Sequence, residues 1–194
     1  MKVGFVVFEA MTALDFVGAY DALTRLHSMK IRDDFDWEIC ARTELVTDDR
    51  GLRIAATDVD QPLDDFDLIV VAGGFGTRPL QHDSLFIDWL RTASRVPIKA
   101  SVCSGALLLG AAGFLEGLRA TTHASSFDEL AKYCREVVDE RIVDEGSIIT
   151  AGGVSSSIDL GLYLVEKIDG RDAAEKITRQ MEYRPPAILD SRRP

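Results

Sequence analysis

Residues 67–72, Asp-Leu-Ile-Val-Val-Ala, constrain the fold more than any other segment. A short, nearly pure apolar run closed by Gly73-Gly74 suits a strand buried on both faces. Such a strand belongs to a parallel sheet with helices above and below it. The rest of the chain agrees. Segments 3–8, 37–41 and 98–102 read as further strands. Between the first two, Phe16, Ala19, Tyr20, Leu23 and Leu26 recur at helical spacing and predict a helix over 15–29. Helices are also expected over 83–94, 104–113, 125–134, 156–168 and 172–182. Turn residues at Asp49-Arg50-Gly51 and Asp144-Glu145-Gly146 predict two hairpins. The alternation implies an α/β fold with a mainly parallel central sheet and helices on both faces. A chain of 194 residues without repeat or linker is expected to form one domain over 1–184, with a Pro-rich tail over 185–194.

Composition excludes several partners. The formal net charge is −10, against nucleic acid or anionic membrane, both of which need basic footprints. The acidic runs Asp33-Asp34, Asp48-Asp49 and Asp64-Asp65 read as solvated surface. No apolar run approaches membrane-spanning length. The opening run breaks at Glu9, unlike a signal peptide. Cys40, Cys103 and Cys134 are odd in number and far apart, without disulfide or zinc spacing, so a cytoplasmic protein without a metal is expected. Gly73-Gly74-Phe75-Gly76 lacks the spacing and lysine of a nucleotide loop, and no cofactor is expected.

The chemistry centres on Cys103. It ends the strand over 98–102 and opens a small-residue helix, the strand–elbow–helix layout of a hydrolase nucleophile with sulfur in place of oxygen. The unpaired N–H groups of that helix would favour a thiolate. The local pattern reads equally well as a buried core cysteine. Asp15 follows the first strand, where aspartate commonly caps a helix. Ligands in such sheets sit at the carboxyl ends of the strands, where Asp15, Gly73-Gly74 and Cys103 would converge.

Val71-Ala72-Gly73-Gly74, Val102-Cys103-Ser104-Gly105 and Arg119-Ala120-Thr121-Thr122-His123 together resemble the ThiJ/PfpI superfamily, the class I glutamine amidotransferase-like proteins. The resemblance extends from the first strand to Ala151-Gly152-Gly153 and Asp159. It implies a flavodoxin-like three-layer sandwich, a Cys103 nucleophile with Asp15 as its acidic partner, and backbone N–H donors at Gly74 and Ser104. Gly73 and His123 would be site neighbours, and Asp159 would brace the helix it begins. A homodimer is implied as well, with a small-molecule substrate. Peptidases of the superfamily carry histidine after the cysteine, where this chain has Ser104. The deglycase and glyoxalase branch carries glutamate in the first helix, where this chain has Asp15. The pattern Thr12-Ala13-Leu14-Asp15, with Gly18 three residues on and a hydroxyl residue after the cysteine, is similar to the isonitrile hydratases. Superfamily domains of transcription regulators normally carry a helix-turn-helix extension, for which 194 residues leave no room. The expected activity is hydration of an isonitrile to an N-substituted formamide through a Cys103 thioimidate, with Asp15 as acid and base. Reactive-aldehyde chemistry and a non-catalytic redox sensor are the alternatives.

Overall fold

A computed structural model of the chain describes residues 1–184, so the tail expected over 185–194 lies outside the described residues. The chain runs through β1 (Lys2–Val6), α1 (Ala13–Ser28) and β2 (Asp36–Ala41), then a hairpin of β3 (Leu45–Thr47) and β4 (Arg53–Ala55). β5 (Asp58–Val59), β6 (Leu68–Val71), α2 (Thr77–Leu80) and α3 (Ser84–Arg91) lead to β7 (Ile98–Val102) and α4 (Gly105–Ala111). β8 (Arg119–Ala120), α5 (Phe127–Leu130), β9 (Glu136–Val137), β10 (Ile142–Asp144) and β11 (Ile148–Ala151) precede α6 (Ser156–Asp169) and α7 (Arg171–Gln180).

Seven strands form the central sheet in the order β10-β11-β7-β6-β1-β2-β5. All neighbours pair in parallel except β10 with β11, the second expected hairpin. Helices α1, α6 and α7 pack together in one layer, and α2 to α5 group around α4 in the other. The fold is thus the expected flavodoxin-like sandwich. β6 is buried along its whole length, and Leu68, Ile69 and Val71 are completely buried. Each such side chain stabilises the fold by about 1.5–3 kcal/mol.

Register brings the reactive segments together. Val6 pairs with Val71, and Val71 with Ser101. The carboxyl ends of β1, β6 and β7 therefore stop at one level, and the chain beyond each opens onto one crevice. The turn after β1 is tied to β6 by the Thr12 N–H donating to Gly73 O (2.8 Å). It is tied to the β3–β4 hairpin by the Asp49 N–H donating to Met11 O (2.9 Å). Gly74 has φ +128°, and a Cβ there would overlap Met11 and Thr12. Gly18 of α1 and Gly161 of α6 let those helices meet backbone to side chain. A Cβ on Gly18 would overlap Ser157, and one on Gly161 would stand 2.7 Å from Ala22 Cβ.

Some elements differ from expectation. The helix expected over 125–134 is a 3-10 turn, Ala124–Ser126, followed by the single turn of α5. The chain leaves the helix after Leu130, so that Tyr133 packs where Gly110 of α4 has no side chain and donates to Gln81 Oε1 (3.0 Å). The paired β8 and β9, and β5, were not expected. The helix over 83–94 ends earlier as α3, and a 3-10 turn, Thr92–Arg95, completes it. α1 begins two residues early, at Ala13 with Thr12 at the cap. Asp15 is therefore inside the first turn and does not cap the helix.

Candidate active site

Cys103 occupies the sharp turn between β7 and α4. Its φ is +53°, a conformation that costs a non-glycine residue of order 1 kcal/mol and recurs at nucleophile elbows. The surroundings hold it there. The Cys103 N–H donates to Ala151 O and Gly152 O (3.0 Å each), and Thr122 Oγ1 donates to Cys103 O (2.7 Å). The side chain is nearly buried, with one side open to a cavity of about 180 Å³.

Asp15 and Gly73 meet Cys103 at this point. The Gly73 N–H donates to Asp15 Oδ2 (3.2 Å). A Cβ built on Gly73 would stand 2.8 Å from Asp15 Oδ2, 2.8 Å from Cys103 Cβ and 2.7 Å from Ser104 N. The three groups therefore crowd around Gly73 more closely than any side chain there would allow. Asp15 is completely buried, and its Oδ1 accepts no N–H or O–H hydrogen bond.

Burial decides the protonation of the pair. Desolvation raises the Asp15 carboxyl from its ordinary 3.8 to about 7, against the lowering contacts with the Cys103 thiol and the Gly73 N–H. The Cys103 thiol is pushed up to about 12, first by burial and then by the Asp15 charge, and the Ser104 N–H offsets only part of this. The expectation of a thiolate favoured by the helix terminus is thereby corrected. α4 is short, and loss of water around the sulfur outweighs its N-terminal N–H groups. Between about pH 7 and 12 the two groups hold a single proton in common.

Ser104 and Gly74 are placed together but differently from expectation. The Gly74 N–H donates to Ser104 Oγ (2.9 Å), and that hydroxyl donates back to Gly74 O (3.1 Å). The Gly74 donor is therefore occupied by the Ser104 hydroxyl. Both the Ser104 N–H and its side chain reach towards the sulfur and lower the thiol's rise.

His123 lines the same cavity. Its Nδ1 accepts the Ser125 N–H (3.2 Å) and contacts Ser125 Oγ (2.8 Å), which leaves the ring proton on Nε2. Asp159 stands away from the cavity wall. It is held by Arg141 Nε (2.5 Å) and the Tyr183 hydroxyl (2.8 Å) and braces α6.

Sequence reasoning missed part of this site. The expectation that Asp48-Asp49 is solvated surface is corrected. Asp48 Oδ1 accepts the N–H groups of Arg50 (2.8 Å) and Leu52 (2.7 Å) and shapes the hairpin turn. The Asp49 side chain is only 8% exposed, because the turn folds it into the cavity against Thr12 Oγ1 (3.2 Å). Arg78 and Phe75, on the loop and helix after Gly74, line the cavity as well. An aspartate in a turn and an arginine in a short polar helix carry no periodic signal. Among the described residues no group of histidine, cysteine and carboxylate side chains forms a metal cluster, and no helix is long and apolar enough to cross a membrane.

Comparison with known proteins fits this geometry. An isonitrile hydratase from Pseudomonas putida is 35% identical over 195 residues, spanning 100% of this chain and 83% of that protein. The HTH-type transcriptional regulator CdhR of Pseudomonas aeruginosa is 28% identical over 184 residues, 91% of this chain and 53% of the regulator. The crystal structure of a ThiJ/PfpI family protein from Pseudomonas syringae superposes with a TM-score of 0.88 at 31% identity, over 95% of this chain and 76% of that one. The DJ-1/PfpI family signature matches residues 1–167. With that match across both the elbow and the first helix, the chain belongs to the DJ-1/PfpI family.

Proposed function

We propose that the protein is a cysteine-dependent hydratase that adds water to the terminal carbon of an isonitrile. The observation that carries this reading is the fully buried Asp15 carboxyl set against Cys103 across Gly73, beside an occupied Gly74 donor. A thiol this reluctant to ionise needs a base in contact with it, and Asp15 is that base. Transfer of the thiol proton to Asp15 gives a thiolate and a carboxylic acid. The sulfur then bonds to the isonitrile carbon while Asp15 delivers its proton to the same carbon, leaving a thioimidate and a carboxylate. Asp15 next takes a proton from water as the hydroxyl oxygen bonds to that carbon, and passes the proton to nitrogen. Breaking the C–S bond forms the carbonyl, and the hydroxyl proton returns to sulfur through Asp15. The product is an N-substituted formamide, and the thiol and carboxylate are restored.

The occupied Gly74 N–H favours this reaction over attack on an aldehyde. Addition to a carbonyl develops charge on oxygen and calls for free donors around it. Addition to an isonitrile places the first proton on carbon, and no oxyanion forms in that step. The 35% identity to an isonitrile hydratase over the whole chain supports the same choice.

Incubation with cyclohexyl isonitrile, with formamide followed by proton NMR, tests the reading. Turnover is expected for the wild type and its loss for Cys103→Ala. Undiminished formamide from the variant removes the covalent mechanism. Consumption of methylglyoxal without isonitrile turnover transfers the site to aldehyde chemistry, and selective peroxide oxidation of Cys103 with no turnover of either transfers it to redox sensing.

A further inference from the structure

The cavity holds a cation that no carboxylate among the described residues neutralises. Arg78 of α2 is half-buried and lines the cavity with Cys103. Its guanidinium lies 5.6 Å from the centre of the Phe75 ring, and Nη2 makes one long hydrogen bond to Ser126 Oγ (3.4 Å). Among the described residues no carboxylate lies within ion-pair distance of it.

Other arginines withdrawn from solvent show what is usual in this molecule. Arg25 pairs with Asp21, Arg32 with Asp34 and Asp169, Arg42 with Asp60, Arg119 with Glu145, and Arg141 with Asp159. In a chain of net charge −10 acidic partners are abundant, so the lack of one at Arg78 is a property of the site. Partial desolvation of an unpaired cation is unfavourable, and a bound anion would relieve it. The second arginine of the cavity, Arg50, is exposed and already paired with Asp49 (2.6 Å). The Asp49 charge is thereby answered without Arg78. Ser126, almost fully buried, and the Nε2–H of His123 add donors to the same cavity.

We propose that the substrate carries a carboxylate, and that Arg78 is the residue that selects it. This rests on the hydratase reading for the reacting group, and on the cavity alone for the charged one. A guanidinium fork matches a carboxylate in two parallel hydrogen bonds. A phosphate dianion fits less well, since Asp15 and Asp49 lie in or beside the cavity and one free cation would face two charges. In about 180 Å³ the substrate is small, with the isonitrile carbon at Cys103 and the carboxylate at Arg78.

Two measurements test this separately from the hydratase reading. Isocyanoacetate and its methyl ester present the same isonitrile carbon with and without the charge. The wild type is expected to favour the acid in kcat/KM, and Arg78→Met to lower the acid-to-ester ratio by about 10- to 100-fold, the size of a lost charged hydrogen-bond pair. Arg78→Lys should recover part of it. Equal losses on both substrates, or a wild type indifferent to the charge, overturn the proposal. The second measurement needs no turnover. Alkylation of Cys103 by iodoacetate relative to iodoacetamide, followed by peptide mass mapping, should fall about 10-fold in Arg78→Met. An unchanged ratio in a folded variant overturns the anion site. A falling ratio without isonitrile turnover keeps the site and removes the hydratase.

Discussion

Cys40 and Cys103 are both buried cysteines, one inside a strand and one just past a strand's end, and only Cys103 has the setting of the proposed nucleophile. Cys40 lies inside β2, completely buried, and burial pushes its thiol far up, with Asp58 and Glu38 adding to the effect. Its sulfur faces only the Glu38 carbonyl, 3.9 Å away. Cys103 is also pushed up, to about 12. The difference is therefore not acidity. Cys103 has a carboxyl in contact to accept its proton, an open face towards a cavity, and a backbone held at positive φ that turns the sulfur outward. On the proposed mechanism, reactivity would come from a proton acceptor placed beside the thiol, and a lowered thiol pKa would not be needed.

Removing that acceptor should make Cys103 resemble Cys40. Asp15→Asn is expected to lower kcat/KM about 10²–10⁴-fold, the usual weight of a general acid–base group. In the wild type, activity should rise with pH through an acid limb near 7, where Asp15 ionises, and the variant should lack that limb. The same substitution is expected to stabilise the fold. Folded Asp15 keeps its proton up to about 7, whereas the unfolded group releases it near 3.8. Wild-type stability therefore falls as pH climbs between those values and levels off above them. Asparagine removes that decline, a gain of up to about 4 kcal/mol at pH 8. Urea denaturation at pH 4 and pH 8 measures it, and parallel pH trends in both proteins would contradict the buried, proton-binding role.

Gly73→Ala perturbs the contact instead of deleting it. The added methyl must push Asp15 Oδ2 and Cys103 Cβ apart, and displacements of about 1 Å at reacting groups cost about 10²-fold in rate. Steady-state kinetics beside a thermal melt separate this from unfolding; full activity in the variant would mean that the pair has slack. Cys40→Ala should have the smallest effect. A sulfur-sized void in the core costs about 1–2 kcal/mol, read as a lower melting temperature with turnover unchanged. Loss of turnover at native stability would break the contrast between the two thiols.

The fold was legible because its strands announce themselves. Leu68–Val71 suited a doubly buried strand, and Gly73-Gly74 marked where it stops. β5, β8 and β9 are two residues each and too short to alternate, so pattern reading passes over them. The elbow was legible through Cys103 and its small neighbours, and the Asp15 partnership through a family motif. The protonation was not. Whether a thiol is lowered by a helix or raised by burial depends on how much water the fold leaves around it. Asp49 and Arg78 were hidden for a related reason. Their types suggest solvent, and only the hairpin and the turn after Gly74 carry them inward.

Gly18 and Gly161 give the mount of the acid a further meaning. The two glycines seat α1 against α6 on the outer layer of the sandwich, and Asp15 rides one turn before Gly18 on the same rigid helix. The seating of one helix on another thus sets the gap between acid and sulfur. On the proposed mechanism, residues that never meet a substrate would hold the throttle of the reaction, and its chemistry could be retuned from the outer layer with every residue lining the cavity left as it is.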